Sequence, residues 1–123
     1  MAKKRGQSKA VLSPESRGDL KETLKWTLAK FGADAALRYE NLIVQALRDI
    51  EEDRHRPGSL DRSDLQPGVR AYHLSFSRDR ARSALGAVHN PRHFVIYRSR
   101  EAKIEILRIL HEGRDLQRHL PEE

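Results

Sequence analysis

The sequence predicts an α+β fold in which two helices form an antiparallel hairpin packed on a small antiparallel sheet, in the order β-α-α-β-β-β. Two amphipathic stripes with helical spacing occupy the first half of the chain. Three segments rich in β-branched and aromatic residues follow, each bounded by turn residues. With 123 residues, the chain is long enough for one domain with a two-layer core.

The first nine residues, MAKKRGQSK, predict a basic N-terminal arm because they hold four bases and no acid. We expect this arm to span residues 1–9 and a single domain to span residues 10–121. Order should begin near Gln7, and a short first strand is expected at residues 10–12.

The first helix is expected from Pro14 to Phe31. Ser13 can accept a hydrogen bond from the first turn, Pro14 suits the first helical position, and Gly32 can end the helix. Its apolar stripe consists of Leu20, Leu24, Leu28 and Phe31.

A second helix should follow Gly32 and Ala33 almost at once, which predicts an antiparallel hairpin. It ends at the polar segment EEDRHRPG. Its stripe consists of Tyr39, Leu42, Ile43, Ala46, Leu47 and Ile50.

Three strands are expected in VRAYHL (69–74), HFVIYR (93–98) and KIEILRIL (103–110). The last two are joined by a four-residue turn and should pair as a hairpin. The short first strand should join the same sheet.

Alternation along the last two strands predicts which side chains face the helices. An arginine buried under helices is costly, so the face that carries Arg108 should be open. The open face would then hold Phe94, Ile96, Arg98, Ile104, Ile106, Arg108 and Leu110. The helix-facing side would hold Val95, Tyr97, Glu105, Leu107, Ile109 and His111.

The segment SFSRDRARSALGAVHNPR between VRAYHL and HFVIYR is longer than a meander needs. It carries Arg78, Arg80 and Arg82. It is either a solvated loop or a basic flap of residues 78–90 over one face of the sheet.

Charge is uneven along the chain. Residues 13–53 hold nine acids and six bases, whereas residues 54–118 hold fourteen bases and seven acids. Because 17 of the 24 basic residues are arginine, an acidic protein or a nucleic acid is a plausible partner. A genome rich in G and C would produce the same arginine bias.

Several chemistries are disfavoured. The chain has no cysteine, its six histidines show no zinc-site spacing, and no glycine-rich phosphate motif is present. We therefore expect no metal and no cofactor. No apolar run or signal sequence is evident, so we expect a cytoplasmic protein without a membrane segment.

Phosphodiester cleavage without a metal is the remaining enzymatic possibility. Arg70, Tyr97, Arg98, Arg108 and His111 are chemically adequate for it. The predicted facing sets Arg108 and His111 on opposite sides of the sheet, which weakens this hypothesis. We assign no catalytic residue.

The stretches LSPESRGDLKETLKW, ALRYENLIVQALRDI, DLQPGVRAYHL, PRHFVIYR and IEILRILHEGRDLQRHLP, in this order, give the chain a family resemblance. Over residues 10–121 it resembles the ParE branch of the RelE/ParE toxins of bacterial type II toxin-antitoxin, or plasmid stabilisation, systems. The resemblance implies the same fold of two helices against an antiparallel sheet.

The resemblance also implies a function. ParE-like toxins inhibit DNA gyrase and are neutralised by a ParD-like antitoxin, through which the toxin can associate indirectly with operator DNA. Two alternatives stay open: a RelE-like mRNA interferase that uses Arg98 and Arg108, and an inactive member that only binds its antitoxin as a regulator. The candidate partner-binding residues are Arg70, Arg78, Arg80, Arg82, Phe94, Ile96, Arg98 and Arg108.

Overall fold

The computed structural model describes residues 8–114, 118 and 120, and the predicted arm before residue 8 and most of the segment after residue 114 lie outside them. The described elements run in the order β1 (Lys9–Leu12), α1 (Pro14–Phe31), α2 (Ala33–Glu52), β2 (Ser59–Asp61), β3 (Val69–His73), a 3-10 helix (Leu74–Ser77), β4 (His93–Arg100) and β5 (Lys103–His111).

The predicted fold class is confirmed, since the two helices pack on one sheet. Its strand order is β1-β5-β4-β3-β2. Two details of the prediction were wrong. The sheet has five strands, and β1 pairs with β5 in parallel while the other pairs are antiparallel. β2 is only three residues long and β1 only four. Strands this short show too little alternation of apolar and polar residues to reveal how they pair.

The bounds predicted for α1 are confirmed because local signals set both ends. The Ser13 hydroxyl accepts a hydrogen bond from the Ser16 amide at 3.0 Å, and Pro14 occupies the first position. Gly32 alone connects α1 to α2, and its φ of 95° is a conformation that residues with a Cβ rarely adopt. The two helices therefore turn back on each other within one residue.

A β-bulge in β5 changes which side chains face the helices. Ile96 pairs with Arg108 and Tyr97 with Ile106, so Leu107 is the extra residue of the bulge. At this point the alternation of β5 side chains between the two faces of the sheet shifts by one residue. The side chains of β4 lie on the faces predicted for them. Residues of β5 before the bulge therefore lie on the opposite side from the one predicted.

The sheet has a core on each face. The helix-facing core consists of Tyr39, Leu42, Ile43, Ala46, Ile50, Tyr72, Leu74, Val95, Tyr97, Ile104, Ile106 and Ile109. The prediction that Ile104 and Ile106 lie on the open face was wrong, as was the prediction that Leu107 packs under the helices.

The second core covers the face that was expected to be open. It consists of Val69, Ala71, Ile96, Leu107 and Leu110, with Leu65, Phe94 and Leu120 packed against it. Ile96 has no exposed surface, so the prediction that it faces a partner was wrong. Leu65 and Leu120, which cover this face of the sheet, come from segments outside the strands. The alternation of residues along a strand cannot predict that other segments will cover it.

Asp19 of α1 holds the helix against the edge of β5. Its carboxylate accepts two hydrogen bonds of 2.8 Å from the Arg108 guanidinium and one of 2.9 Å from the Ile109 amide. Pairing with β1 ends opposite Ile106, so the Ile109 amide has no neighbouring strand on that edge. Asp19 supplies the missing acceptor and a charge for Arg108.

We predict that Asp19→Ala lowers the free energy of unfolding by about 3 kcal/mol, because three hydrogen bonds to a mostly buried carboxylate are removed. Urea denaturation at neutral pH measures the loss. Glu40→Ala, which removes an exposed helical carboxylate, is the control and should change stability by well under about 1 kcal/mol. Equal stability of the two variants would contradict the anchoring role.

Candidate partner-binding groove

An open groove of about 1090 Å³ lies between the helical hairpin, the loop before β4, and the ends of β4 and β5. We call it the hairpin groove. Its lining residues are Glu22, Thr23, Trp26, Thr27, Phe31, Ala35, Arg38, Tyr39, Ala87, Val88, His89, Asn90, Arg92, His93, His111, Gly113 and Arg114.

Two aromatic side chains of α1 form one wall of the groove. Trp26 is 56% exposed and Phe31 is 66% exposed, and their rings meet edge to face with centroids 5.7 Å apart. The predicted apolar stripe is only half buried: Leu20 and Leu24 pack against the core, whereas Leu28 and Phe31 are exposed. The C-terminal half of α1 thus presents apolar surface to solvent.

Tyr39 and His93 form a hydrogen-bonded pair in the groove. The Arg92 amide donates to the Tyr39 hydroxyl at 3.0 Å, and the hydroxyl lies 2.7 Å from His93 Nδ1. The hydroxyl oxygen accepts from the amide, and its proton can be donated to Nδ1 of a neutral His93 whose own proton is on Nε2.

Burial sets the acid-base behaviour of this pair. The pKa of His93 is lowered from 6.5 to about 4, chiefly by burial and also by the nearby rings of His111 and His73. Burial also raises the pKa of Tyr39 to about 12. At neutral pH this part of the groove is therefore uncharged.

The charges of the groove lie around this neutral pair. Arg38, Arg92 and Arg114 contribute cations, whereas Glu22 is the one acid among its described lining residues. Arg92 also donates to Glu112 at 3.1 Å. Apolar walls combined with cations suit an amphipathic segment that carries acidic side chains.

Three of the predicted partner-binding arginines are held by contacts within the chain. Arg70 donates to the Ser59 hydroxyl at 2.7 Å, which ties β3 to β2. Arg98 contacts Glu105 and Gln66, each at 3.4 Å, and Arg108 is bonded to Asp19. These contacts give the three arginines roles in holding the sheet and α1 together.

The remaining predicted residues lie outside the groove as well. Phe94 is partly buried against the second core and meets the His73 ring edge to face at 4.8 Å. Arg78 and Arg82 line a smaller pocket beside the groove. Arg80 lies 3.5 Å from the buried carboxylate of Asp49.

Sequence reasoning therefore missed the groove. Trp26 offered a signal, because it lies off the apolar stripe of α1, and a large aromatic residue on an otherwise polar helix face is unusual. Tyr39 and His93 gave no such signal, since they meet only through the packing of α2 on β4.

Residues 8–114, 118 and 120 contain no group of three histidine, aspartate or glutamate side chains placed to hold a metal ion. Within this part of the chain, neither helix combines the length and the hydropathy that crossing a membrane requires.

Comparison with known proteins identifies the family. The sequence profile of the family described as the ParE toxin of the type II toxin-antitoxin system, parDE, matches residues 10–116. The chain belongs to the ParE toxin family. This confirms the family resemblance found in the sequence, and the match covers both helices and, apart from Lys9, all five strands.

A solved structure described as the chromosomal ParDE TA system from P. aeruginosa shares the fold of this ParE-family chain. The TM-score is 0.62 with 17% sequence identity, over 86% of this chain and 97% of the other. At this identity the likeness establishes the fold alone. No curated protein sequence matches the chain significantly.

We predict that acid destabilises the fold through His93. An unfolded histidine binds a proton near pH 6.5, whereas folded His93 binds one only near pH 4. The unfolded state therefore holds more protons between these values. The free energy of unfolding, which is at its full value above pH 6.5, falls by about 3 kcal/mol as the pH drops to 4.

Urea denaturation of the wild type and of His93→Gln across this pH range measures the effect. Glutamine can still accept a hydrogen bond from Tyr39 but does not titrate. The wild type should therefore lose stability relative to His93→Gln as the pH falls from 6.5 to 4. A constant difference would contradict the assignment of a neutral, buried His93.

Proposed function

We propose that this ParE-family chain is a toxin neutralised by a ParD-like antitoxin, a segment of which binds in the hairpin groove. The observation that carries the proposal is the exposed pair of Trp26 and Phe31 in a groove edged by arginines. Covering two large aromatic side chains removes apolar surface from water, and the arginines can pair with acidic residues of the antitoxin.

The groove is a better candidate than the sheet face for the main contact. The sheet face is filled by the second core, and its Arg98 already bonds to Glu105 of the chain. The groove, in contrast, combines exposed aromatic surface with cations at its edge. An amphipathic helix lying in a groove is a common mode of recognition for such a surface.

We further propose that DNA gyrase is the cellular target, which places the toxin in the cytoplasm. Membership of the ParE family supports this target. The structure also weakens the alternative of a ribonuclease that uses Arg98 and Arg108, because both guanidiniums are engaged by carboxylates of the chain. The chain would then act by binding and without chemistry of its own.

We predict that Phe31→Ala weakens antitoxin binding about 30-fold, as expected for an exposed aromatic anchor in an interface. Isothermal titration calorimetry with the purified antitoxin measures the affinity. Trp26 is the one tryptophan in the sequence, so its fluorescence should shift to the blue when the antitoxin covers it.

Leu60→Ala is the matched control, since Leu60 is 58% exposed on β2 and does not line the groove. It should bind the antitoxin as the wild type does. Equal affinities for Phe31→Ala, Leu60→Ala and the wild type would rule out the groove as the antitoxin site.

The target is tested by adding the purified toxin to a gyrase supercoiling assay and, in parallel, to translating ribosomes. We expect inhibition of supercoiling, relieved by the antitoxin, and intact mRNA. Unchanged supercoiling together with cleavage of ribosome-bound mRNA would replace the proposal with the RelE-like alternative. Normal growth on expression of the toxin alone would favour a purely regulatory member.

A further inference from the structure

A second, basic pocket of about 480 Å³ lies beside the hairpin groove. Arg38 of α2 forms one side, and the loop contributes Arg78, Asp79, Arg82 and residues 85–89. We call it the arginine pocket. Three guanidiniums and one carboxylate line this pocket. The carboxylate belongs to Asp79, which is 83% exposed and lies 3.7 Å from Arg78.

Two of these arginines are oriented by the backbone of the loop. Arg38 donates to the Leu85 carbonyl at 3.3 Å, and Arg78 donates to the His89 carbonyl at 3.0 Å. Each guanidinium has five N–H donors. The bond to the carbonyl therefore fixes the orientation of the side chain and leaves other N–H groups able to bind a ligand. Carbonyl partners do not neutralise the cation, so the positive charge of the pocket is retained.

The loop itself is held against α2. Asp49, buried in α2, accepts from the Ser77 hydroxyl at 2.6 Å, and Ser77 also bonds to the Tyr72 hydroxyl at 2.8 Å. Arg80 lies 3.5 Å from Asp49 and 3.8 Å from Glu52. Arg80 is thus separated from Arg78 and Arg82 and lies beside α2.

The arginine pocket continues directly from the hairpin groove. The two share four lining residues, Arg38, Ala87, Val88 and His89. A segment that lies along Trp26 and Phe31 and passes residues 87–89 therefore reaches the arginine pocket without leaving the surface of the chain. The apolar and the cationic surfaces are two parts of one binding path.

We propose that the arginine pocket binds carboxylates of the antitoxin, carried by residues that adjoin the apolar residues seated in the hairpin groove. This inference rests on the proposed function and names the chemistry of the partner: an amphipathic segment with an acidic cluster at one end. Continuity with apolar aromatic surface favours a protein partner, since a phosphate backbone gains little from it.

Arg82 gives the sharpest test, because it is exposed and its side chain forms no hydrogen bond with the described residues. Arg82→Ala should lower antitoxin affinity about three- to tenfold, and Arg82→Glu should lower it more. Both losses should shrink as salt is raised, since exposed charges are screened. Thermal unfolding of each variant should match the wild type.

Arg48→Ala is the control: Arg48 is an exposed arginine of α2 outside both pockets, and its removal changes net charge equally. It should bind the antitoxin as the wild type does. If Phe31→Ala weakens binding while Arg82→Glu does not, the assignment of the arginine pocket is overturned and the groove is retained.

Failure of the wild type itself to bind the antitoxin would overturn the proposed function and this inference together. A short DNA duplex serves as the second probe. If Arg82→Glu loses affinity for the duplex while binding the antitoxin normally, the pocket is a nucleic-acid site and the proposal is wrong.

Discussion

The carboxylate of Asp19 joins α1 to β5, the longest strand of the sheet, and the shape of the molecule depends on this junction. β1 covers β5 only as far as Ile106, so the edge beyond it needs another acceptor. Asp19 accepts from the Ile109 amide and holds the Arg108 guanidinium. The first half of α1 is thereby fixed to the sheet, while its second half extends past the core and exposes Trp26 and Phe31.

The bulge at Leu107 also affects the packing on both faces of the sheet. By shifting the alternation of β5, it turns Ile104 and Ile106 into the helix-facing core and directs Leu107 to the other face. The second core then closes over Ile96. Both faces of the sheet are consequently used for packing within the chain, whereas Trp26 and Phe31 remain exposed in the groove.

In the proposed complex, the groove and the arginine pocket would contribute two different kinds of interaction. Trp26 and Phe31 offer apolar area beside the Tyr39–His93 pair. Because His93 is neutral at this point, covering it with an apolar ligand buries no charge. Arg38, Arg78 and Arg82 offer charge at the adjoining end. Apolar burial would supply most of the affinity, and the arginines would set the orientation of the bound segment and speed its approach.

Local signals in the sequence determined the helix bounds, the β4–β5 hairpin and the family, because Ser13, Pro14 and Gly32 act on their own neighbours and β4 follows regular alternation. The bulge, the parallel β1 and the three-residue β2 are set by contacts between distant segments. Asp19 and Arg108 meet across 89 positions, and the groove draws on both helices, a loop and two strand ends. Periodicity describes one element at a time, so only the tertiary structure could decide which arginines hold the fold and which remain available to a partner.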